Sequence, residues 1–386
     1  MSAAWQAARR VLCVRLDNMG DVLMTTPAIR ALKAALPGRH ITLLASPSGA
    51  ALARLVPEID DVIEFEAPWM KGGTVSPAQD ERVRAAIAAR GFDAVVIFTV
   101  YSQNPLPAAY FCYQAGIPLR LAHCRENPYH LLSDWVKEIE PEGGTRHEVQ
   151  RQLDLVDTVG CRPVARRMSL EVPVEAERRV ERLLLAQGYD AERSCVVVHT
   201  GATAPSRRYP GDRFAAAIAL LVEAGCQVVL TGSAGEVAEV EQIRQRAGVP
   251  TLSLAGQVDL AELAAAIKRA DVVLSNNSGP AHMAAALDTP LVDLYALTNP
   301  QHTPWLVRHV LLYHDVPCKY CYNSVCPQGH HDCLRRVTPQ QVADAVLSLL
   351  PQPGEAQLHP VVWSRPAVRV AGGASVITMR RAPCVD

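Results

Sequence analysis

The chain lacks an apolar run of membrane-spanning length, an Asp-x-Asp pair, a complete G-x-G-x-x-G turn and any fixed-period repeat. A bilayer-crossing helix needs about 18 or more consecutive apolar residues, and the stretch from Met1 to Arg10 has no apolar core of signal-peptide length. The expectation is a cytoplasmic protein, with peripheral contact to the inner membrane as its remaining route to a lipid surface. Without Asp-x-Asp there is no paired carboxylate of the kind that holds a divalent metal on a sugar nucleotide. Charge on a leaving group must then be met by arginine, backbone amides or a helix end. The turn Thr231-Gly232-Ser233-Ala234-Gly235-Glu236 fails the glycine spacing of a dinucleotide fingerprint. An excess of one charge is also missing: the net charge of -1 and a pI near 6.9 argue against a nucleic-acid partner, so any anionic ligand needs a local basic patch.

What is present is globular. Apolar residues make up 49% and charged residues 20%, and 386 residues suffice for two domains with separate cores. Short apolar runs alternate with Ala- and Leu-rich helical stretches. The first set is Val11 to Leu16, Ile41 to Ala45, Asp61 to Phe65 and Ala94 to Phe98; the second is Cys195 to His199, Gln227 to Leu230, Val272 to Leu274 and Leu291 to Tyr295. Such alternation predicts parallel sheets covered by helices on both faces. The fold class is therefore α/β, with two Rossmann-like domains facing across a cleft. The boundary falls within Pro141 to Pro173, giving domains over 1–170 and 171–350 and an extension of uncertain order over 351–386. Ligands bind beyond the carboxyl ends of such strands, so residues after Leu16, His199, Leu230 and Leu274 should line the cleft.

Four turns at those ends carry candidate chemistry. After the first strand, Asp17-Asn18-Met19-Gly20-Asp21 precedes a helix expected to start near Thr26-Pro27; Asp21 can accept a proton from a hydroxyl or cap a helix. After His199, the run Thr200 to Pro210 supplies small hydroxyl residues such as Thr203, then Arg207 and Arg208, which suit a diphosphate or a solvated loop. Glu236 can take ribose hydroxyls or favour a helix N-terminus. The run Ser275-Asn276-Asn277-Ser278-Gly279-Pro280-Ala281-His282 reads as strand, polar turn and helix start, with Ser278 at the N-cap. Its free amides and helix dipole attract phosphate. His282 is either a core histidine or a partner of the leaving phosphate.

Of the cysteines, Cys13, Cys112, Cys195 and Cys226 sit in apolar contexts, whereas Cys318, Cys321, Cys326 and Cys333 cluster as C-x2-C-x4-C-x6-C beside His330 and His331. This spacing leaves a zinc site, disulfides or a packed reduced loop open.

Taken in order, these blocks resemble glycosyltransferase family 9, the ADP-heptose:lipopolysaccharide heptosyltransferases. The matching segments are Val14 to Val22 with Thr26 to Arg30, Gly201 with Pro205 to Pro210, Ser275 to His282, and Cys318 to Leu334. The resemblance implies a GT-B fold, an N-terminal acceptor domain, a C-terminal nucleotide-sugar domain, and inverting transfer without metal or other cofactor. It implies Asp21 as general base, Arg207 as phosphate-binding cation where lysine is common, and nucleotide contacts at Thr203, Glu236, Ser278, Gly279 and His282. Asn277 stands where the family usually has Asp, which puts a neutral donor-binding group there. The cysteine loop resembles that of second-heptose enzymes. The implied partners are a nucleotide-sugar donor, ADP-linked, and a glycan or lipid-linked glycan acceptor, for which Arg120, Arg125, Lys137, Arg146 and Arg151 are available, unless they form a solvated basic face. The competing readings are a sugar-nucleotide epimerase or hydrolase and a non-catalytic nucleotide-sugar-binding protein.

Overall fold

The computed structural model describes residues 3–73 and 75–351, with the backbone of 362–363, 367–371, 374–378 and 381–382. The extension expected over 351–386 lies largely outside these residues. The chain divides into two compact units, Met1–Glu171 and Val172–Asp386.

In the first unit the six strands are β1 (Arg10–Arg15), β2 (His40–Ala45), β3 (Asp61–Glu64), β4 (Ala94–Ile97), β5 (Leu119–Cys124) and β6 (Asp134–Lys137). They form one parallel sheet in the order β3-β2-β1-β4-β5-β6. β1 is an almost unbroken apolar run because helices cover both of its faces. Leu12, Val14, Val95 and Ile97 pack with Ile87, Phe65 and Phe111, the last two rings stacked at 5.2 Å. Each fully buried side chain of this size stabilises the fold by about 1.5–3 kcal/mol.

The second unit repeats the plan with β7 (Cys195–His199), β8 (Gln227–Thr231), β9 (Leu252–Ser253), β10 (Val272–Asn276), β11 (Leu291–Leu294) and β12 (His309–His314). These strands run parallel in the order β9-β8-β7-β10-β11-β12, and the backbone of Ala374–Thr378 adds antiparallel to β12. Phe214, Ile218, Val342 and Val346 close its core over Val196, Val228, Leu274 and Val292. In both units the strand order reverses between the first and fourth strands, β1/β4 and β7/β10. Crossovers leave the sheet in opposite directions there, opening a crevice at the carboxyl ends. The architecture is the α/β GT-B fold. The sequence reading had four strands per unit; it passed over β5, β6, β9 and β12, which are short or broken by Arg120, His123, Lys137 and His314. Among the described residues, no helix is long and apolar enough to cross a membrane.

Candidate active site

In the first unit the crevice is organised by Arg15, the last residue of β1. Its side chain is wholly buried, and its guanidinium meets three carboxylates: Nε lies 2.9 Å from Asp17 Oδ2, Nη2 3.2 Å from Asp21 Oδ1, and Nη1 2.8 Å from Glu148 Oε1. Burial alone would drive a proton off the guanidinium. Asp17, Glu148 and Asp21 more than offset that and leave its pKa above the ordinary arginine value. Glu148 opens the helix Glu148–Asp157 and also accepts from Gln152 Nε2 at 2.6 Å. Gln103, which follows β4, donates to Asp17 Oδ1.

The helix after β1 is Met19–Ala34, so the expected start at Thr26-Pro27 is corrected: Asn18 is the N-cap and Pro27 lies inside. Proline removes the amide that would bond the carbonyl of Leu23. Thr26 Oγ1 donates to that carbonyl instead, at 2.7 Å, which lets the helix run through. Asp21 is thereby the third residue of the helix, where its Oδ2 accepts from Asn18 N at 3.2 Å. The capping and catalytic readings of Asp21 are compatible. One oxygen caps and the other is held by Arg15, while 15% of the side chain stays exposed to meet a hydroxyl.

In the second unit two turns meet at the ends of β7 and β10. Asn276, fully buried, donates from Nδ2 to Thr200 O at 2.7 Å and accepts from Tyr209 N at 3.0 Å, which pins both ends of the arginine loop. Within that loop Arg208 donates to Ala202 O at 2.7 Å and reaches Glu239 at 4.0 Å. Arg207, half-buried, has no hydrogen-bonded or ion-paired partner for its guanidinium among the described residues. Of the two arginines in this loop it is the one without such a partner. Thr203 is exposed. Gly201 is required by close approach: a Cβ there would stand 2.0 Å from Glu236 Oε1. The Glu236 carboxylate accepts from Ser233 N and Oγ, both at 2.8 Å. Burial raises its pKa, but these bonds and the neighbouring charges prevail and hold it below the usual carboxylate value.

The helix Gly279–Ala286 follows β10 with Ser278 at its N-cap, as expected, but the Ser278 hydroxyl donates to Asn276 O at 3.2 Å rather than capping an amide. The first-turn amides are therefore not taken by that side chain. His282 is 6% exposed. Asn277 donates through Nδ2 to Asp293 Oδ2 at 3.1 Å and to His302 O at 3.0 Å. Asp293 is fully buried on β11, and its Oδ1 has no partner among the described residues. Burial pushes its carboxyl up to about 7, against the pull of the Asn277 hydrogen bond and the Arg207 charge. A carboxylate thus stands beside position 277 after all, contributed by the neighbouring strand.

The cysteine loop packs against the same arginine segment. Ser206 N donates to Ser324 O at 3.0 Å and Ser206 Oγ to Asn323 O at 2.7 Å, while Tyr320 N and Tyr322 N bond the carbonyls of Leu297 and Thr298. Cys318, Cys321, Cys326 and Cys333 are free thiols. The Cys333 thiol is pushed up to about 11 by burial and by its three neighbours. Among the described residues, no three or more His, Cys, Asp or Glu side chains are grouped so as to hold a metal ion.

Of the five basic residues of the first unit, three are held by buried or half-buried partners, while Arg125 and Lys137 are exposed. Arg120 donates to the carbonyls of Leu131 and His130, each at 2.7 Å. Arg151, 1% exposed, pairs with Glu138 at 2.5 Å, and Arg146 pairs with Glu140 at 2.5 Å and Asp154 at 2.8 Å. Lys137 donates to the carbonyl of Arg125. Sequence reasoning passed over Arg15, Glu148, Asn276 and Asp293. A charge closing an apolar strand was the visible signal for Arg15, whereas its partner Glu148 is 133 residues away.

The chain is similar to known proteins over most of its length. The model of glycosyltransferase family 9 (heptosyltransferase) matches residues 81–331, which takes in Thr203 to His282 and begins after Asp21. Lipopolysaccharide heptosyltransferase 2 of Salmonella typhimurium strain LT2 is 26% identical over 362 residues, spanning 89% of this chain and 99% of the relative. Lipopolysaccharide heptosyltransferase 1 of Pseudomonas aeruginosa is 24% identical over 365 residues, with 89% and 99% covered. Among solved structures, the family 9 glycosyl transferase of Veillonella parvula DSM 2008 superposes with a TM-score of 0.74 at 20% identity, covering 88% of this chain and 97% of that one. The E. coli ADP-heptose lps heptosyltransferase II gives 0.69 at 23%, covering 88% and 98%. These two share the fold. The chain is a glycosyltransferase and belongs to glycosyltransferase family 9 (heptosyltransferase).

Proposed function

We propose that the chain transfers a heptose or closely related sugar from ADP-heptose to the core of lipopolysaccharide or another bacterial surface glycan, with inversion at the anomeric carbon. Asp21 takes the proton of the acceptor hydroxyl as that oxygen attacks the anomeric carbon, and the carbon–oxygen bond to the diphosphate breaks on the opposite face. Arg207, the first-turn amides after Ser278 and Gly279, and His282 receive the departing negative charge. Thr203 and Glu236 contact the nucleotide, and Asn277 meets the donor. The single observation that carries this reading is the Asp21 carboxylate, fixed on both oxygens yet still reachable. The near full-length kinship with lipopolysaccharide heptosyltransferases supports the substrate.

Reaction on a lipid-linked acceptor is consistent with a cytoplasmic enzyme that touches the inner membrane peripherally. Tyr110, Tyr113, Tyr129 and Trp135 are exposed on the first unit, and such aromatics favour a bilayer interface.

Thermal-shift screening against ADP, GDP, UDP, CMP and NAD tests the donor, because a ligand that binds only the native state raises the melting temperature. A shift with ADP alone is expected. A shift with GDP or UDP in its place would replace the donor, and no shift with any would favour the non-catalytic reading.

A further inference from the structure

Asp293 is an acid where the fold gains nothing from one. It interrupts the apolar strand β11 between Val292 and Leu294, its side chain is fully buried, and its Oδ1 has no partner among the described residues. Burying such a group costs free energy that an apolar residue at the same place would not. Among the described residues, its hydrogen-bonded side chain is Asn277, whose Nδ2 donates to Asp293 Oδ2 at 3.1 Å. Asp293 is itself out of reach of a ligand. What it contributes passes through Asn277, or through its charge on Arg207.

The amide nitrogen of Asn277 carries two protons. One goes to Asp293 Oδ2 and the other to His302 O at 3.0 Å, which fixes the arm of the amide that is nitrogen and the arm that is oxygen. Protonation of Asp293 does not undo this, because the proton can sit on Oδ1 while Oδ2 still accepts. Asn277 Oδ1 has no partner among the described residues and, unlike Asp293 Oδ1, keeps contact with solvent. It stands one residue before Ser278, the N-cap of the helix Gly279–Ala286. An oxygen with no proton to give accepts a hydroxyl. It offers nothing to a phosphate, whose ionised oxygens are acceptors too.

We propose that Asp293 is a positioning residue for the donor: together with His302 O it holds both amide protons of Asn277, so that Asn277 turns only its carbonyl oxygen outward, to accept a hydroxyl of the transferred sugar. This rests on the reading of Asn277 as a donor contact. It adds what the contact is, a hydroxyl rather than the diphosphate, and which buried group sets it. Truncating Asp293 frees one amide proton, and Asn277 is then held by one bond instead of two.

Calorimetry on the full chain with ADP and with ADP-heptose tests it, read as the ratio of the two dissociation constants, because ADP carries no transferred sugar. Asp293→Val removes both charge and acceptor, whereas Asp293→Asn removes the charge alone; Asp293→Ala serves if the valine variant does not fold. Asp293→Asn should keep the wild-type ratio. Asp293→Val should shift it about five- to tenfold against ADP-heptose, as for one lost hydrogen bond, and the shift should vanish on an Asn277→Ala background. The melting temperature of Asp293→Val should not fall, since a buried acid with a partnerless oxygen is gone, a split that a merely structural role would not give. An unshifted ratio in Asp293→Val, an equal shift in Asp293→Asn, or a shift that persists without Asn277 would overturn the positioning role. The Asn277 side-chain amide protons, followed by NMR on a chain carrying isotope-labelled asparagine, need no donor: they should exchange slowly in the wild type and in Asp293→Asn, and faster in Asp293→Val. Slow exchange in a wild type that does not bind ADP-heptose would sink the donor reading and leave Asp293 holding Asn277. Fast exchange in the wild type would sink the positioning itself.

Discussion

The guanidinium of Arg15 donates to Asp21 at 3.2 Å while holding Glu148 at 2.8 Å, so the carboxylate placed to act as base is tied through one buried cation to an acid 127 residues further along the chain (148 − 21 = 127). Arg15 carries one positive charge against three acids. Changing any of them therefore disturbs the position of the others.

Asp21→Asn should keep ADP binding and lower kcat by about 10²- to 10⁴-fold, the usual worth of a general base. Calorimetry with ADP and steady-state rates on one protein sample measure both. Loss of nucleotide binding in parallel with rate would mean that the residue is structural.

Glu148→Gln removes one of the carboxylates that fix the Arg15 guanidinium and so loosens its hold on Asp21. Turnover should fall by about ten- to a hundredfold with ADP affinity unchanged, which steady-state rates and calorimetry measure. Arg15→Met instead strands buried Glu148 without its partner and should cost about 3–5 kcal/mol of stability. Urea unfolding would show it.

The two adjacent arginines should separate cleanly. Arg207→Ala removes the uncommitted cation and should weaken ADP binding by about ten- to a hundredfold, the range for a charged hydrogen bond. Arg208→Ala loses a bond to a carbonyl at 2.7 Å and should cost less affinity. Equal losses would contradict the assignment.

Much of the fold was legible because its physics is local. The almost continuous apolar runs at β1 and β7, each followed by a polar turn, announce buried parallel strands, and Ser278 marks a helix start. The start of the helix after β1 was misread because Pro27 looks like a first-turn proline. Nothing in the sequence says that the hydroxyl of the preceding Thr26 will take the orphaned carbonyl of Leu23. Asp293 was invisible for another reason. Within Leu291-Val292-Asp293-Leu294 it looks like a surface interruption, and only the parallel register of β11 against β10 brings it beside Asn277.

Asp293 carries a pH signature. Its carboxyl lies at about 7 in the fold against an ordinary value of 3.8, so the native state binds more protons than the unfolded chain between those values. Stability then falls as pH rises through that window, and the penalty is fully expressed above pH 7, on the order of a few kcal/mol. Asp293→Asn keeps an acceptor for Asn277 and removes the charge. Its melting temperature should exceed that of the wild type more at pH 8 than at pH 5; a constant difference would show that Asp293 is ionised throughout.

Ser206→Ala should loosen the cysteine loop from the arginine segment, since it removes the bond to Asn323 O at 2.7 Å. ADP affinity should drop a few-fold, as for one neutral hydrogen bond, with the pH profile of turnover unchanged because the Asp21 cluster lies in the other unit.

The most direct test of the whole account is a transfer assay with ADP-heptose and heptose-deficient lipopolysaccharide, following ADP release together with the mass of the glycan. The account predicts one added heptose per ADP released and negligible release without acceptor. Full-rate ADP release in the absence of acceptor, or no added mass with it, would contradict the central claim.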